Sequence, residues 1–296
     1  MSVGRCGRAL RCALAALLPL SLGACIGLTA LPRAVVIDNE RNIAVRTLPC
    51  SSVVSGMPAT LADTHAALDP KAIRVVTWNL HKQDDAGWER DLTAFVAGSD
   101  LVLLQEATLS APLRNILDDA GLRWVMASSF IYGDVDIGVL TATRATPVAS
   151  CTERAMEPLL RIPKSAVISW FALAGTTTRL AVVNIHAINF SLLLGAYHAQ
   201  FAAIAQALAS HSGPIVFAGD FNTWTDARVE SVRETADALG LREIPFEKDQ
   251  RTIFLGHQLD HMMVRGLDVV EAAAIPVKSS DHNPVRVTLK LADTPR

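Results

Sequence analysis

The stretch Pro214-Ile-Val-Phe-Ala-Gly-Asp-Phe-Asn-Thr-Trp224 places a short apolar run, Ile215–Ala218, just before two polar residues, Asp220 and Asn222. Apolar runs that open after Gly-Pro and close at glycine are typical of strands buried on both faces. Side chains that follow such a strand stand at the mouth of the sheet, where α/β proteins usually bind ligands. Asp and Asn are also ordinary turn formers, so this stretch alone fits a capped turn equally well.

The same arrangement recurs along the chain, where other apolar runs end in or beside an uncommon polar residue. These residues are Asn79, Glu106, His186, Asp260, Asp281 and His282. Taken alone, each has an ordinary structural explanation as a turn former, a helix cap or a half-buried histidine. One shared site explains them together, whereas the structural explanations need a separate coincidence for each. The sequence therefore predicts a polar site at the ends of several strands.

Strands and helices follow each other from Lys71 onward without a compositional break or an internal repeat. Strands are predicted at 73–78, 101–104, 124–129, 137–141, 166–173, 180–185, 215–218, 259–264, 269–275 and 285–291. Helices are predicted at 88–96, 113–117, 196–210 and 227–239. One domain of mixed α and β structure over residues 71–296 is the simplest account.

Residues 1–33 have the composition of an export signal or a membrane anchor. An arginine-rich start precedes an apolar run and small residues that end at Cys25. Leu22-Gly-Ala-Cys25 resembles a bacterial lipobox, whose lipidated cysteine would tether the domain to a membrane. This predicts a lipid-anchored or periplasmic protein of the cell envelope; the alternatives are an uncleaved anchor and a cytoplasmic protein. Residues 34–70 lack sustained periodicity and are predicted to be a linker or a strap over the domain.

Composition and cysteine spacing exclude some classes of protein. None of the five cysteines lies at zinc-finger spacing, so a structural zinc site is not expected. Cys50 and Cys151 would be free to pair if the chain is exported, and would otherwise be small buried residues. The net charge is −2, and residues 71–296 carry 21 basic and 25 acidic side chains, which argues against a long duplex DNA footprint.

The polar strand ends form a set of motifs with a family resemblance. The motifs are Thr77-Trp78-Asn79, Gln105-Glu106, Asn184-Ile185-His186, Gly219-Asp220-Phe221-Asn222, Leu259-Asp260 and Ser280-Asp281-His282. In this order they resemble the endonuclease/exonuclease/phosphatase superfamily, which includes DNase I, AP endonucleases, sphingomyelinases and inositol-phosphate 5-phosphatases. Segments 103–107, 163–166, 184–191 and 280–284 are similar to its YafD-like bacterial branch. The resemblance implies an α/β fold: a four-layer α/β/β/α sandwich with two mixed sheets face to face and helices outside.

The resemblance implies a site for a divalent cation, Mg²⁺ or else Mn²⁺, which prefers oxygen ligands. Glu106 and the amide oxygen of Asn79 are the expected metal ligands. Asp281 is expected as a second-site or outer ligand. His81 stands where AP endonucleases carry a metal-binding aspartate, so that ligand is missing; His81 either faces the site or lies on the surface.

The remaining motif residues are expected to act on the phosphate ester. Asp220 would deprotonate the attacking water, and Asn222 would hold that carboxylate or a phosphate oxygen. His282, paired with Asp260, would stay protonated and face the phosphate. A further group is expected to bind the phosphate or its developing charge: His186, Asn189, Arg161 and Lys164. For Arg161 and Lys164, solvated surface charge is the competing interpretation.

The predicted function is hydrolysis of a phosphodiester or phosphomonoester by in-line attack of water, in a chain expected to be monomeric. The substrate class stays open between nucleic acid, lipid headgroups and small molecules. The apolar loop 190–195 would suit a membrane-facing lipid hydrolase if it is exposed, and would otherwise be the packed entry to a helix. The competing hypothesis is a catalytically silent, membrane-tethered binding module with the same fold.

Overall fold

A computed structural model describes residues 28–38, 43–46, 50, 53, 54, 67–191 and 193–293; within 31–36 and 43–46 only the backbone is described. The strands are β1 Leu28–Asp38, β2 Ile43–Arg46, β3 Ile73–Asn79, β4 Leu101–Thr108, β5 Arg123–Tyr132, β6 Val135–Thr143, β7 Ala149–Met156, β8 Pro163–Ala172, β9 Arg179–His186, β10 Ile215–Asp220, β11 Arg242–Glu243, β12 Ile253–Phe254, β13 His257–Gln258, β14 Asp260–Arg265, β15 Leu267–Ala274 and β16 Val285–Leu291. The helices are α1 Trp88–Ala97, α2 Ala111–Asp119, α3 Gly195–Leu208 and α4 Asp226–Leu239, with a 3₁₀ turn at His81–Gln83.

Fourteen of the sixteen described strands form two mixed sheets, and β12 pairs with β13 as a separate two-stranded sheet. The larger sheet has the order β15-β16-β3-β4-β6-β5-β1-β2, and the smaller sheet has the order β11-β14-β10-β9-β8-β7. In each sheet one neighbouring pair is parallel, β3 with β4 and β9 with β10. The two strands of each parallel pair end side by side, so side chains at their carboxyl ends are adjacent.

Apolar packing separates the fold into four layers. The two sheets meet face to face, where Val75 and Leu103 of the larger sheet share one cluster with Val216 and Met262 of the smaller sheet. Because the alternate residues of β3 also lie in a buried cluster, the strand is apolar on both faces. This alternation explains why β3 reads in sequence as a continuous apolar run.

Helices cover the outer face of each sheet. On the larger sheet, Trp78 of β3 packs with Leu92 of α1 and Leu113 of α2. On the smaller sheet, Phe217 of β10 packs with Phe201 of α3, and the same cluster includes residues of α4. The result is the α/β/β/α sandwich that the motif resemblance implied.

The predicted strands and helices from Lys71 onward match the structure in type and order. The sequence analysis missed β7, whose residues Ala149–Met156 mix apolar and charged side chains without regular alternation. It also missed β1 and β2, because it interpreted 34–70 as a linker or strap; β1 crosses the expected boundary at residue 33 and pairs with β5. Residues 1–27, which carry most of the predicted export signal and the lipobox-like motif, lie outside the described residues.

A disulfide joins Cys50 to Cys151 of β7, which fastens the segment before the domain to the edge strand of the smaller sheet. This is one of the two arrangements that the sequence left open for these cysteines. No helix among the described residues is long and apolar enough to cross a membrane.

Candidate active site

Strand pairing brings the predicted residues together. Asp220 ends β10 and lies opposite His186, which ends the parallel strand β9. On the other side of β10, the first residue of the antiparallel strand β14, Asp260, also lies opposite Asp220. In the larger sheet, Asn79 at the end of β3 lies opposite Gln105 in β4. The topology alone therefore places these side chains at neighbouring strand ends.

Unusual backbone conformations aim the side chains into the site. Gly219 has a φ of 140°, and a Cβ there would lie 2.0 Å from the Ile185 carbonyl oxygen, so only glycine fits before Asp220. Glu106 and Asn222 have φ of 46° and 50°. Glu106 occupies a bulge in the β4–β6 pairing, a device that redirects a side chain. Non-glycine residues are held in this conformation mainly where function needs the position.

Asp220 is a buried carboxylate, with 2% of its surface exposed, as is Asp260. It accepts hydrogen bonds from the backbone N–H of Asn222 (2.9 Å) and from the side-chain amides of Asn79 (3.0 Å) and Asn222 (3.3 Å). Burial raises the pKa of Asp220; nearby His282 opposes this effect and Asp260 adds to it. A carboxylate with a raised pKa is a better proton acceptor near neutral pH.

His282 forms a buried pair with Asp260, with 2.8 Å between Nδ1 and Oδ2. Burial alone would lower the pKa of His282, but the carboxylates of Asp260 and Asp220 raise it to about 10. The imidazole is therefore a fixed cation at neutral pH. Its backbone is also held, because the indole N–H of Trp78 donates to the His282 carbonyl (2.9 Å) and the His282 N–H donates to the Ser280 hydroxyl (3.1 Å).

Glu106 has the opposite environment to Asp220. Its Oε2 is contacted by the Lys82 ammonium, and its Oε1 lies 3.7 Å from Nε2 of His186. Burial alone would raise the pKa of Glu106, but His186, Lys164 and Lys82 together lower it to about 2. Glu106 is therefore a permanent anion at neutral pH.

His186 is a neutral imidazole between the two carboxylates. Its burial, with the charge of Lys164, holds its pKa well below the ordinary range. The Lys164 ammonium donates to Nε2 of His186 (2.7 Å), and this nitrogen lies 3.5 Å from Oδ2 of Asp220. In this arrangement Nε2 accepts a hydrogen bond, so the cationic donor facing the site is Lys164.

The other predicted residues lie at the rim. Asn189 accepts a hydrogen bond from the indole N–H of Trp224 (3.0 Å). Arg161 lies in the exposed turn before β8, where its backbone N–H donates to the Glu157 carbonyl (2.9 Å). Asp281 is exposed, and its carboxylate lies 3.8 Å from Nε2 of His81. The structure brings together Asn79, Glu106, His186, Asp220, Asn222, Asp260 and His282, and the three predicted residues above lie outside that cluster.

Two features of the site were not found from the sequence. Lys82 reaches Glu106 because residues 81–83 all have positive φ, and His-Lys-Gln carries no glycine or asparagine that signals such a turn. Gln105 and Asn184 join the two sheets behind the site, with 2.6 Å between Nε2 and Oδ1. The sequence showed that Gln105 and Asn184 belong to the motifs. It did not show that they form a hydrogen bond between the two sheets.

The sandwich, with its polar cluster at one edge of the paired sheets, defines the DNase I-like class of folds. The chain belongs to the Endonuclease/Exonuclease/phosphatase family, whose family model matches residues 76–282. It is 40% identical over 224 residues to a UPF0294 protein of Vibrio campbellii, which covers 75% of this chain and 78% of the relative. A UPF0294 protein of Klebsiella pneumoniae is 38% identical over 244 residues, with 82% and 91% covered. These bacterial relatives agree with the bacterial branch that the motifs indicated.

Solved structures share the fold at low identity. The human Nocturnin catalytic domain with bound sulfate has a TM-score of 0.60 and 18% identity, over 76% of this chain and 96% of that one. D. rerio TDP2 complexed with single strand DNA product has a TM-score of 0.56 and 17% identity, over 74% and 99%. The family includes metal-dependent nucleases and phosphatases, and its members are generally hydrolytic phosphoesterases.

The family typically uses divalent metals, and the donor set here fits a hard cation. Nε2 of His186 lies within 3.7 Å of an oxygen of Glu106 and 3.5 Å of an oxygen of Asp220, so both carboxylates face one small region. Asn79 faces Asp220 with its amide nitrogen, and its Oδ1 accepts a hydrogen bond from the His81 backbone N–H (3.0 Å), so the amide oxygen would have to leave that contact to join the carboxylates. Oxygen donors are those that Mg²⁺ prefers. Asp220, Asp260 and His282 also place ligand atoms within 4.8 Å of one another. His282 is protonated and shared with Asp260, which makes this trio a proton-handling group in preference to a ligand set.

Proposed function

We propose that the protein is a divalent-metal-dependent phosphoesterase that hydrolyses a phosphodiester or phosphomonoester by in-line attack of water. Mg²⁺ is the proposed ion, held by Glu106 with Asn79. When bound, the ion neutralises phosphate oxygens and stabilises charge in the transition state. The observation that carries the proposal is the placement of Asp220, a buried carboxylate with a raised pKa, between a neutral and a protonated histidine.

The residues of this chain divide the reaction between them. Asp220 accepts a proton from the attacking water as the new bond to phosphorus forms, and the bond to the leaving oxygen breaks in line with it. The leaving alcohol takes a proton from solvent. Protonated His282 and the ammonium of Lys164 interact with the phosphate oxygens on which negative charge accumulates. Asn222 and Asn79 keep the Asp220 carboxylate in place through their amide groups.

The test is a hydrolysis panel with added Mg²⁺ or Mn²⁺ and, in parallel, with EDTA. The substrates are bis-p-nitrophenyl phosphate, p-nitrophenyl phosphate, single-stranded DNA, nicked plasmid, RNA and vesicles of phospholipid. We expect metal-dependent release from at least one ester, and its loss in D220N. Helix α4 provides the matched control, E230Q, which removes an exposed carboxylate that is paired with Arg233.

A binding module with the same fold predicts a different result. It would leave every ester intact under all metal conditions while still binding a phosphate ligand. That outcome would overturn the proposal, and Mn²⁺ binding followed by electron paramagnetic resonance would show whether the metal site nevertheless forms.

A further inference from the structure

Exposed apolar side chains of the described residues concentrate in three segments. Eight of the twelve large apolar side chains that are exposed there belong to them: Met156, Leu159, Leu160, Phe190, Leu193, Ile253, Phe254 and Leu255. Leu193 is 83% exposed and Leu255 is 68% exposed. We call the segments 156–160, 190–191 with 193, and 253–255 the mouth loops. A cluster of apolar side chains exposed to solvent marks a surface that binds an apolar partner.

The first two mouth loops are tied to each other and to the site. The Glu157 carboxylate accepts hydrogen bonds from the backbone N–H groups of Asn189 (2.8 Å) and Phe190 (3.2 Å), which holds the two loops side by side. The first loop leads through Arg161 to Lys164, whose ammonium lies on His186. The apolar side chains therefore adjoin the groups that face the phosphate.

The third mouth loop is the tip of the β12–β13 hairpin, and it begins beside His282. The Thr252 hydroxyl donates to the Asp281 carbonyl (3.3 Å) and accepts from the Asn283 N–H (2.9 Å). At the other end of the hairpin, the Thr223 hydroxyl contacts the Gln258 carbonyl. The loop of Thr223 also carries Trp224, which contacts Asn189. A continuous chain of contacts thus runs around the site from one apolar projection to the other.

The tip of the hairpin keeps leucine where its backbone favours another residue. Leu255 has a φ of 50° and Gly256 a φ of 88°, the pattern of a two-residue hairpin turn in which asparagine normally precedes glycine. A branched apolar residue in this conformation is strained, and exposure gives its side chain nothing to pack against. An apolar partner outside the chain would give this strained, exposed side chain a contact that the fold itself does not supply.

We propose that the mouth loops insert into a phospholipid bilayer, so that the site receives the phosphate ester of a lipid headgroup. This rests on the proposed function for the chemistry at the site. Six of the eight side chains are aliphatic, and aliphatic groups enter the acyl boundary of a membrane but do not stack on nucleic acid bases. Arg161, exposed beside Leu160, supplies positive charge for anionic headgroups, with Lys164 deeper in the site.

The first test is insertion, measured on the full chain. The L193W variant places a fluorophore on a mouth loop, and V270W places one on an exposed apolar position of the edge strand β15. With vesicles of phosphatidylglycerol and phosphatidylethanolamine that contain brominated acyl chains, we expect quenching of the added fluorescence in L193W and none in V270W. This readout reports the loop itself, so a tether at the N terminus does not produce it. Equal quenching in both variants, or none in either, would overturn the proposal.

The second test uses L255N, which replaces the strained leucine by a residue that its backbone favours. We expect L255N to retain the thermal stability of the wild type while its activity on vesicle lipid, relative to a soluble ester, falls about tenfold, the loss expected for one inserted aliphatic side chain. V270N is the matched control. An unchanged ratio, or a higher affinity for single-stranded DNA or for a protein than for vesicles, would overturn the proposal. Insertion without hydrolysis of any ester would support the mouth loops as a membrane-binding surface and would overturn the proposed phosphoesterase function.

Discussion

Glu106 and Asp220 both lie near Nε2 of His186, at 3.7 Å and 3.5 Å, and the protein holds these two carboxylates in opposite electrostatic states. His186, Lys164 and Lys82 together keep the pKa of Glu106 at about 2. Asp220 is buried next to another carboxylate and has a raised pKa. The same functional group thus has a lowered pKa at the end of one sheet and a raised pKa at the end of the other.

The difference assigns the roles that residue type alone leaves open. A pair of titratable groups whose environments separate their pKa values is the usual mark of divided labour in a hydrolytic site. A permanent anion suits a cation ligand, whereas a carboxylate that titrates nearer neutral pH suits a general base. Variants that act on one carboxylate and spare the other test this division.

The largest effect is expected for D220N, which keeps the shape of the side chain and removes its basicity. We expect kcat to fall by about 10²–10⁴-fold at saturating metal, the usual contribution of a general base. Mn²⁺ affinity, measured by electron paramagnetic resonance, should change far less than kcat. If kcat stays within a few-fold of the wild type, Asp220 does not take the proton and the comparison with Glu106 fails.

The second prediction tests whether the Asp260 carboxylate keeps His282, the histidine near Asp220, protonated. The pKa of His282 is raised from 6.5 to about 10. Its interactions therefore stabilise the fold fully below about pH 6.5, and this stabilisation is lost as pH rises through about 10. D260N removes the partner, and breaking such a buried pair costs about 3 kcal/mol.

We expect urea unfolding in EDTA to show the largest gap between wild type and D260N near about pH 6, narrowing towards about pH 10. A gap that stays constant with pH would mean that Asp260 acts through packing and hydrogen bonding alone. A variant of the neighbouring but exposed Asp281, D281N, is the matched control, because its carboxylate is 57% exposed.

The comparison also shows where sequence analysis succeeds. The strand ends carrying Asn79, Glu106, His186 and Asp220 were predictable because each follows an apolar run of ordinary strand length. The pairing of Asp260 with His282 was expected from the family resemblance, and the structure has this contact. β1 and β2 were not predictable from local pattern. β1 pairs with the distant strand β5, and β2 is the edge strand, which pairs with β1 and needs less apolar alternation than a central strand.

Electrostatic detail was the part that sequence could not supply. Lys82 depends on three consecutive residues with positive φ, and Lys164 depends on β8 lying beside β9. Neither cation has a spacing relative to Glu106 that would suggest contact. The pKa difference between the two carboxylates is therefore a property of the folded chain, although both carboxylates were recognisable in the sequence.

A third prediction concerns Glu106 itself. E106Q should raise the Mn²⁺ concentration needed for half-saturation by at least about tenfold, because an anionic ligand is replaced by a neutral one. Excess metal should restore most of kcat, in contrast to D220N. E230Q, on the surface of α4, should bind Mn²⁺ as the wild type does. A loss of kcat that excess metal does not restore would place Glu106 in the chemical step and remove the division of roles.

The smallest effect is expected at Lys82, whose ammonium occupies Oε2 of Glu106. A cation that binds Glu106 must displace this contact, so the lysine competes with the metal for the same oxygen. Lys82 is 40% exposed, and an ion pair at such a position is worth about 0.7 kcal/mol, or about threefold in an equilibrium constant. K82M keeps the length of the stem and should therefore bind Mn²⁺ about threefold more tightly in titration calorimetry without substrate. K278M, which removes an exposed lysine elsewhere, should bind as the wild type does. Weaker Mn²⁺ binding in K82M would mean that Lys82 positions Glu106 for the cation. The lysine would then not compete with the metal for the Glu106 carboxylate.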